Sequence, residues 1–151
     1  RIEVAAKLLD EAARRGMKLL LPVDHRASSS IEGDQPVQVV EPGVPAGLKG
    51  VDIGPKTEKL YAEAVAGAKT VFWNGPMGIF EKPPFAHGTM AMVDALVASS
   101  ATTIVGGGDS VAAVSQSGKE DRISHISTGG GASLEFVEGR LLPGIAALED
   151  A

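Results

Sequence analysis

Two stretches of this 151-residue chain combine glycines with hydroxyls, and the first adds an acid, at a spacing that suits the binding of an anion. Thr103-Ile-Val-Gly-Gly-Gly-Asp-Ser-Val-Ala-Ala-Val114 reads as a β-branched strand, three consecutive glycines, an acid-hydroxyl pair and an apolar helix. Glycine lets a backbone approach a ligand closely and take up positive φ. The first N–H groups of a helix lack intrahelical partners and carry about half a positive charge, so such a turn binds phosphate. The plainer alternative is a strand-to-helix turn capped by Asp109 or Ser110. Ile126-Ser-Thr-Gly-Gly-Gly-Ala-Ser-Leu134 repeats the design further along, which predicts two helix N-termini side by side at the ends of neighbouring strands.

The type of anion follows from what surrounds the glycines. No Gly is followed at the required distance by Gly-Lys-Ser/Thr, and neither triple glycine has the later Gly of a dinucleotide turn. A dinucleotide site also wants an acid at the end of the next strand, where this chain has Ser127 and Thr128, so NAD is the weaker alternative. Asp109 at a phosphate-binding helix start would repel the ligand unless a cation such as Mg²⁺ lay between them. A metal-nucleotide resolves that conflict, and capping remains the other role for Asp109.

The elements that would position these turns alternate along the chain. Residues Ile2 to Arg15 have helical spacing with Gly16 as the stop, and Met17 to Pro22 reads as a buried strand ending at Asp24. Short strands are expected at Val37–Val40 and Val51–Ile53, a helix from Lys56 or Thr57 to Gly67, and a strand at Thr70–Trp73. Asn74-Gly-Pro-Met-Gly78 must be irregular, and a helix from about Ala86 to Ala98 follows Pro83-Pro84. After the first glycine turn the helix runs to about Gln116. Ile123 to Ser127 is the last strand and Ala132 to Glu138 the last clear helix. Alternation with short crossovers predicts an α/β fold, a mainly parallel Rossmann-like sheet with helices on both faces in three layers. The turns at Asp52–Gly54, Asn74–Gly78, Gly106–Ser110 and Thr128–Gly131 would then share the carboxyl edge of one sheet.

Composition sets the outer limits. At this length one domain with a real core is expected. The net charge of −5 argues against a nucleic-acid or acidic-membrane surface, and the lack of cysteine excludes disulfides, thiolate metal sites and a Cys nucleophile. No run reaches the roughly twenty apolar residues of a membrane span. His25, His87 and His125 are scattered without ligand spacing, and none is assigned a role. The chain opens at Arg1 inside an amphipathic pattern, which reads as a truncated front end.

Val71-Phe-Trp-Asn-Gly-Pro-Met-Gly-Ile-Phe-Glu81, Gly106-Gly-Gly-Asp-Ser110 and His125-Ile-Ser-Thr-Gly-Gly-Gly-Ala-Ser-Leu-Glu135 together resemble phosphoglycerate kinase. The resemblance runs from Arg1 to Leu148. It implies that residues 1–151 are the later part of the C-terminal, nucleotide-binding domain, without the N-terminal phosphoglycerate-binding domain. It further implies that Gly50 and Val51 line the adenine slot, Ile79 closes it and Glu81 bonds the ribose. Gly107, Gly108, Asp109 and Ser110 would lie under the phosphates, with Asn74 nearby and Asp109 serving Mg²⁺ directly or through nucleotide or water. Gly129, Gly130 and Gly131 would offer N–H groups to the phosphoryl group in flight. ATP or ADP is then the nucleotide, and 3-phosphoglycerate or 1,3-bisphosphoglycerate the co-substrate, held by the absent domain. The expected setting is a cytoplasmic glycolytic enzyme, monomeric when complete. The family's lysines for the nucleotide phosphates and its basic phosphoglycerate patch fall outside this chain. A nucleotide-binding fragment without turnover and a non-catalytic interaction domain of the same fold therefore stand as alternatives.

Overall fold

Apolar residues at helical spacing make Ile2–Arg14 the first helix, α1, with Arg14 and Arg15 both paired to Glu11 in its last turn. Gly16 ends the helix at φ +64. The computed structural model describes residues 2–149.

The expected strand at Met17–Pro22 does not form. The segment is without regular structure, and its alternate residues Met17, Leu19, Leu21 and Val23 are all exposed. An apolar run becomes a strand only when a neighbour pairs its backbone, and among the described residues no strand lies beside this one. The first strands come later: β1 (His25–Ser28), β2 (Gln38–Val40) and β3 (Lys49–Ile53). They form a separate antiparallel sheet in the order β2-β1-β3, with His25 opposite both Val40 and Ile53.

Helix α2 (Pro55–Ala66) follows, with Pro55 in its first turn, where a missing N–H costs nothing. Its cap is remote in sequence. The buried Asp24 carboxylate accepts N–H bonds from Lys56 at 2.9 Å and Thr57 at 2.8 Å, and a bond from the Thr57 hydroxyl at 2.6 Å. Gly54 is packed so closely on Asp24 that a Cβ there would lie 2.2 Å from Cγ.

The second half alternates as expected: β4 (Thr70–Trp73), α3 (His87–Ala98), β5 (Thr102–Gly106), α4 (Gly108–Ser117), β6 (His125–Ser127) and α5 (Gly130–Val137). The strands form a parallel sheet in the order β4-β5-β6. Successive side chains on a strand point to opposite faces. Trp73 and Val105 accordingly join Val93 and Leu96 of α3 and Ala113 and Val114 of α4 in one buried core, while Phe72 and Ile104 face the other way. On that second face α5 and a short helix unforeseen from the sequence, α6 (Pro143–Glu149), stand over a cleft of about 380 Å³. Helices therefore cover both faces of the parallel sheet. Gly54 follows the antiparallel β3, so it is not on the carboxyl edge that the other three turns share. Strand-turn-helix alternation does not say which sheet a strand will join.

Burial pushes the Asp24 carboxyl up, but the Thr57 hydroxyl, the Lys56 and Thr57 N–H groups and the Lys56 ammonium outweigh it and hold the group below its ordinary value of 3.8. A depressed folded-state value stabilises the fold above the unfolded value, and that contribution is lost as pH falls through the folded one. Asp24→Asn should cost about 1–3 kcal/mol at neutral pH, because one buried donor loses its acceptor. Thermal melts should show the gap to the parent chain narrowing below about pH 4. A gap constant with pH would assign Asp24 no ionised capping role.

Candidate functional site

The carboxyl ends of β4 and β5 and the turn after β6 meet at glycines. Gly107 has φ +89, a conformation that side-chain-bearing residues rarely adopt, and it is the N-cap of α4. A Cβ on Gly130 would lie 2.6 Å from the Cα and N of Gly107, so the two turns touch backbone to backbone. Asn74, at the end of β4, completes the junction: its Oδ1 lies 2.5 Å from where a Gly107 Cβ would stand and 3.5 Å from that of Gly130. Neither α4 nor α5 has a side-chain cap, so both helix starts present backbone N–H groups beside Asn74.

Asp109 is exposed in the first turn of α4 and makes no capping bond, which removes the capping alternative. Ser110 behaves differently. It is buried, and its Oγ accepts the Gly75 N–H at 2.6 Å, fastening the start of α4 to the Asn74–Gly78 loop. Gly108 and Gly131 are exposed with open space where a Cβ would go, and Gly129 is the N-cap of α5. Asn74, Gly107, Gly108, Asp109, Gly129, Gly130 and Gly131 thus lie around one junction, with Ser110 directly behind it.

A second feature lies along the same loop. Gly50, Val51 and Ile79 line a cleft of about 350 Å³ together with Pro22, His25, Asp52, Ile53, Met77 and Gly78. The Ile79 N–H donates to the Val51 carbonyl at 3.0 Å, joining the two walls. Glu81 remains exposed and is not part of the cleft lining. The two features are consecutive on one segment, since the loop that begins at Asn74 reaches the cleft at Met77–Ile79.

Sequence reasoning missed the buried charges behind the cleft. The Asp52 carboxylate accepts N–H bonds from Ile53 at 2.8 Å and from Gly88, in the first turn of α3, at 2.7 Å. Arg26 lies 3.9 Å from it, donates to the Ile53 carbonyl and pairs with Glu58. Burial raises the Asp52 carboxyl above its usual range, against the lowering effect of those N–H groups and the Arg26 guanidinium. No local pattern signals such a pairing, because Asp52 and Gly88 are far apart in sequence.

Asp109 is a single carboxylate, and no group of three or more His, Cys, Asp or Glu side chains among the described residues could hold a metal ion. This donor set fits Mg²⁺, which is commonly held by one or two carboxylates together with substrate phosphates and water. It does not fit a metal caged by protein alone.

The family model described as phosphoglycerate kinase matches residues 1–140. The chain is 54% identical over 150 residues to the phosphoglycerate kinase of Clostridium botulinum, covering 99% of this chain and 38% of that one. It is 54% identical over 149 residues to the phosphoglycerate kinase of Roseiflexus castenholzii, again covering 38% of that protein. Among solved structures, phosphoglycerate kinase from Coxiella burnetii superposes with a TM-score of 0.88 at 39% identity, over 92% of this chain and 36% of that one. The Pyrococcus horikoshii phosphoglycerate kinase gives 0.82 at 34% identity, over 98% and 36%. The chain thus spans well under half the length of these relatives.

The backbone contact at the junction makes a contrast between glycines testable. Gly130→Ala should destabilise the fold by about 1–3 kcal/mol, because its Cβ meets backbone that cannot turn aside. Gly131→Ala has open space and helical geometry, and should be neutral or stabilising by up to about 1 kcal/mol. Urea denaturation of the two variants checks the difference; equal midpoints would contradict the close approach.

Proposed function

Because the chain belongs to the phosphoglycerate kinase family, we propose that it is the later part of the C-terminal domain of such an enzyme and binds Mg-ADP or Mg-ATP. The observation that carries this reading is the union of two features on one loop: a nucleoside-sized cleft at Gly50, Val51 and Ile79, and two uncapped helix N-termini meeting at Gly107 and Gly130. The base would enter the cleft, with Glu81 toward the ribose. The phosphates would lie over Gly107, Gly108 and Asp109 near Asn74, and Gly129, Gly130 and Gly131 would face the transferred group.

The whole enzyme, on this reading, moves a phosphoryl group from the acyl phosphate of 1,3-bisphosphoglycerate to the terminal oxygen of ADP, giving 3-phosphoglycerate and ATP in glycolysis. The bond to the carboxyl oxygen breaks as the bond to the ADP oxygen forms, and the electron pair stays on the carboxylate. No proton is transferred, so no general base is needed, in keeping with a site made of backbone N–H groups. What this chain contributes is alignment and charge stabilisation. Asp109, and the nucleotide itself, would hold Mg²⁺, which neutralises charge on the phosphate oxygens. Two helix N-termini supply about half a charge each, too little for a polyphosphate and an anionic co-substrate. The balance requires basic residues, and the resemblance puts these in segments outside this chain. A monomeric enzyme in the cytoplasm is the setting we propose; no helix among the described residues is long and apolar enough to cross a membrane.

Two outcomes follow. In the complete enzyme, Asp109→Ala should lower turnover by about a hundredfold or more while circular dichroism stays unchanged, since Asp109 is exposed and caps nothing. Near-normal rates across a Mg²⁺ titration would remove Asp109 from the site. The 151 residues alone should give no turnover in a coupled assay with Mg-ATP and 3-phosphoglycerate, and should gain it when the missing portion is added. Turnover by the isolated chain at about 1 to 100 per second would refute the charge argument.

A further inference from the structure

Asp52 is in the wall of the nucleoside cleft, yet its carboxylate has no exposed surface and meets only other parts of the fold. From the proposed binding of a nucleotide, on which this step rests, we infer that Asp52 is the positioning residue of the nucleoside slot, its carboxylate joining the two walls through the start of α3. One oxygen accepts the N–H of Ile53 on β3, and the other accepts the N–H of Gly88 in α3. The next residue of α3, Thr89, accepts the N–H groups of Met77 at 3.1 Å and Gly78 at 3.4 Å through its hydroxyl. The first turn of α3 therefore grips the β3 wall with Gly88 and the loop wall with Thr89. Gly78 completes the clamp, because a Cβ on it would lie 2.6 Å from Asp52 Oδ1 and 2.5 Å from the Phe85 carbonyl. Val51 and Ile79 stand on the two walls so held, and the spacing between them decides whether a flat base fits.

This clamp acts on the base end of the ligand and not on the phosphate end. Gly107, Gly130 and Asn74 make their junction without Asp52, and Ser110 fastens it to Gly75. The two ends can be read separately with two probes: adenosine, which has no phosphate, and Mg-tripolyphosphate, which has no base.

Asp52→Asn keeps the size of the side chain but turns one acceptor into a donor facing a backbone N–H. Titrations of the 151-residue chain, followed by the fluorescence of Trp73, the single tryptophan, and by amide NMR, should show adenosine binding weakened about tenfold. Mg-tripolyphosphate binding should stay within about twofold of the parent. Weakening of both probes alike, or of neither, would overturn the inference and leave Asp52 a structural acid. A measurement on the parent chain decides the case if the variant does not fold: the Ile53 and Gly88 amide resonances should move with adenosine and stay in place with Mg-tripolyphosphate. Failure of the parent to bind Mg-ADP, adenosine or tripolyphosphate at all would sink the nucleotide reading and this inference with it. Normal binding by the parent with unchanged adenosine affinity in Asp52→Asn would sink the inference alone.

Discussion

Gly130 approaches Gly107 so closely that there is no room between their backbones for a single methyl group. That contact brings two helix starts together, and it exists because β5 and β6 are adjacent parallel strands whose chains turn into helices at the same edge. A side chain at Gly130 would separate the N-termini and dilute the field that their unpaired N–H groups create, while one at Gly107 would displace Asn74. Asn74 fills the remaining space from β4, so all three parallel strands converge on one point. Ser110 then makes the point rigid by accepting the Gly75 N–H from within the fold rather than from solvent.

Behind the junction the fold is held by acids acting as remote helix caps. Asp24 satisfies the first turn of α2, and Asp52 satisfies the first turn of α3. Both carboxylates are buried at positive helix ends, where a negative charge is favoured. Their environments differ in balance: hydrogen bonds outweigh burial at Asp24, while burial prevails at Asp52. The antiparallel sheet carries both acids or the chain beside them, and this couples it to the helices of the parallel half. Arg26 strengthens the coupling by meeting Ile53, Asp52 and Glu58 at once.

How legible the protein is from its sequence varies along the chain for physical reasons. The glycine turns, the irregular loop at Asn74–Gly78 and the helices after them are local features, encoded by residues that are neighbours in the chain. The glycine turns were therefore readable, and the structure brings the glycine triplets into one junction; Gly50, Val51 and Ile79, which only the family resemblance grouped, line one cleft. Met17–Pro22 has the composition of a strand but no partner, and α6 is short enough that only Pro143 at its start marked it.

By itself the sequence determined the strand-turn-helix alternation, the glycine turns, the resemblance to a kinase family and the location of a glycine-rich edge where two helices begin. It did so because steric freedom at glycine, helical periodicity and turn chemistry act over a few residues. Only the tertiary structure decided that the first three strands form their own antiparallel sheet, since strand partners are chosen by long-range pairing. It also decided that Ser110 is buried, that Asp109 is an uncommitted carboxylate rather than a cap, and that Asp24 and Asp52 cap helices they precede by more than thirty residues in contact terms. The energy of a buried charge depends on which donors the fold carries to it, and no residue's neighbours in sequence contain that information.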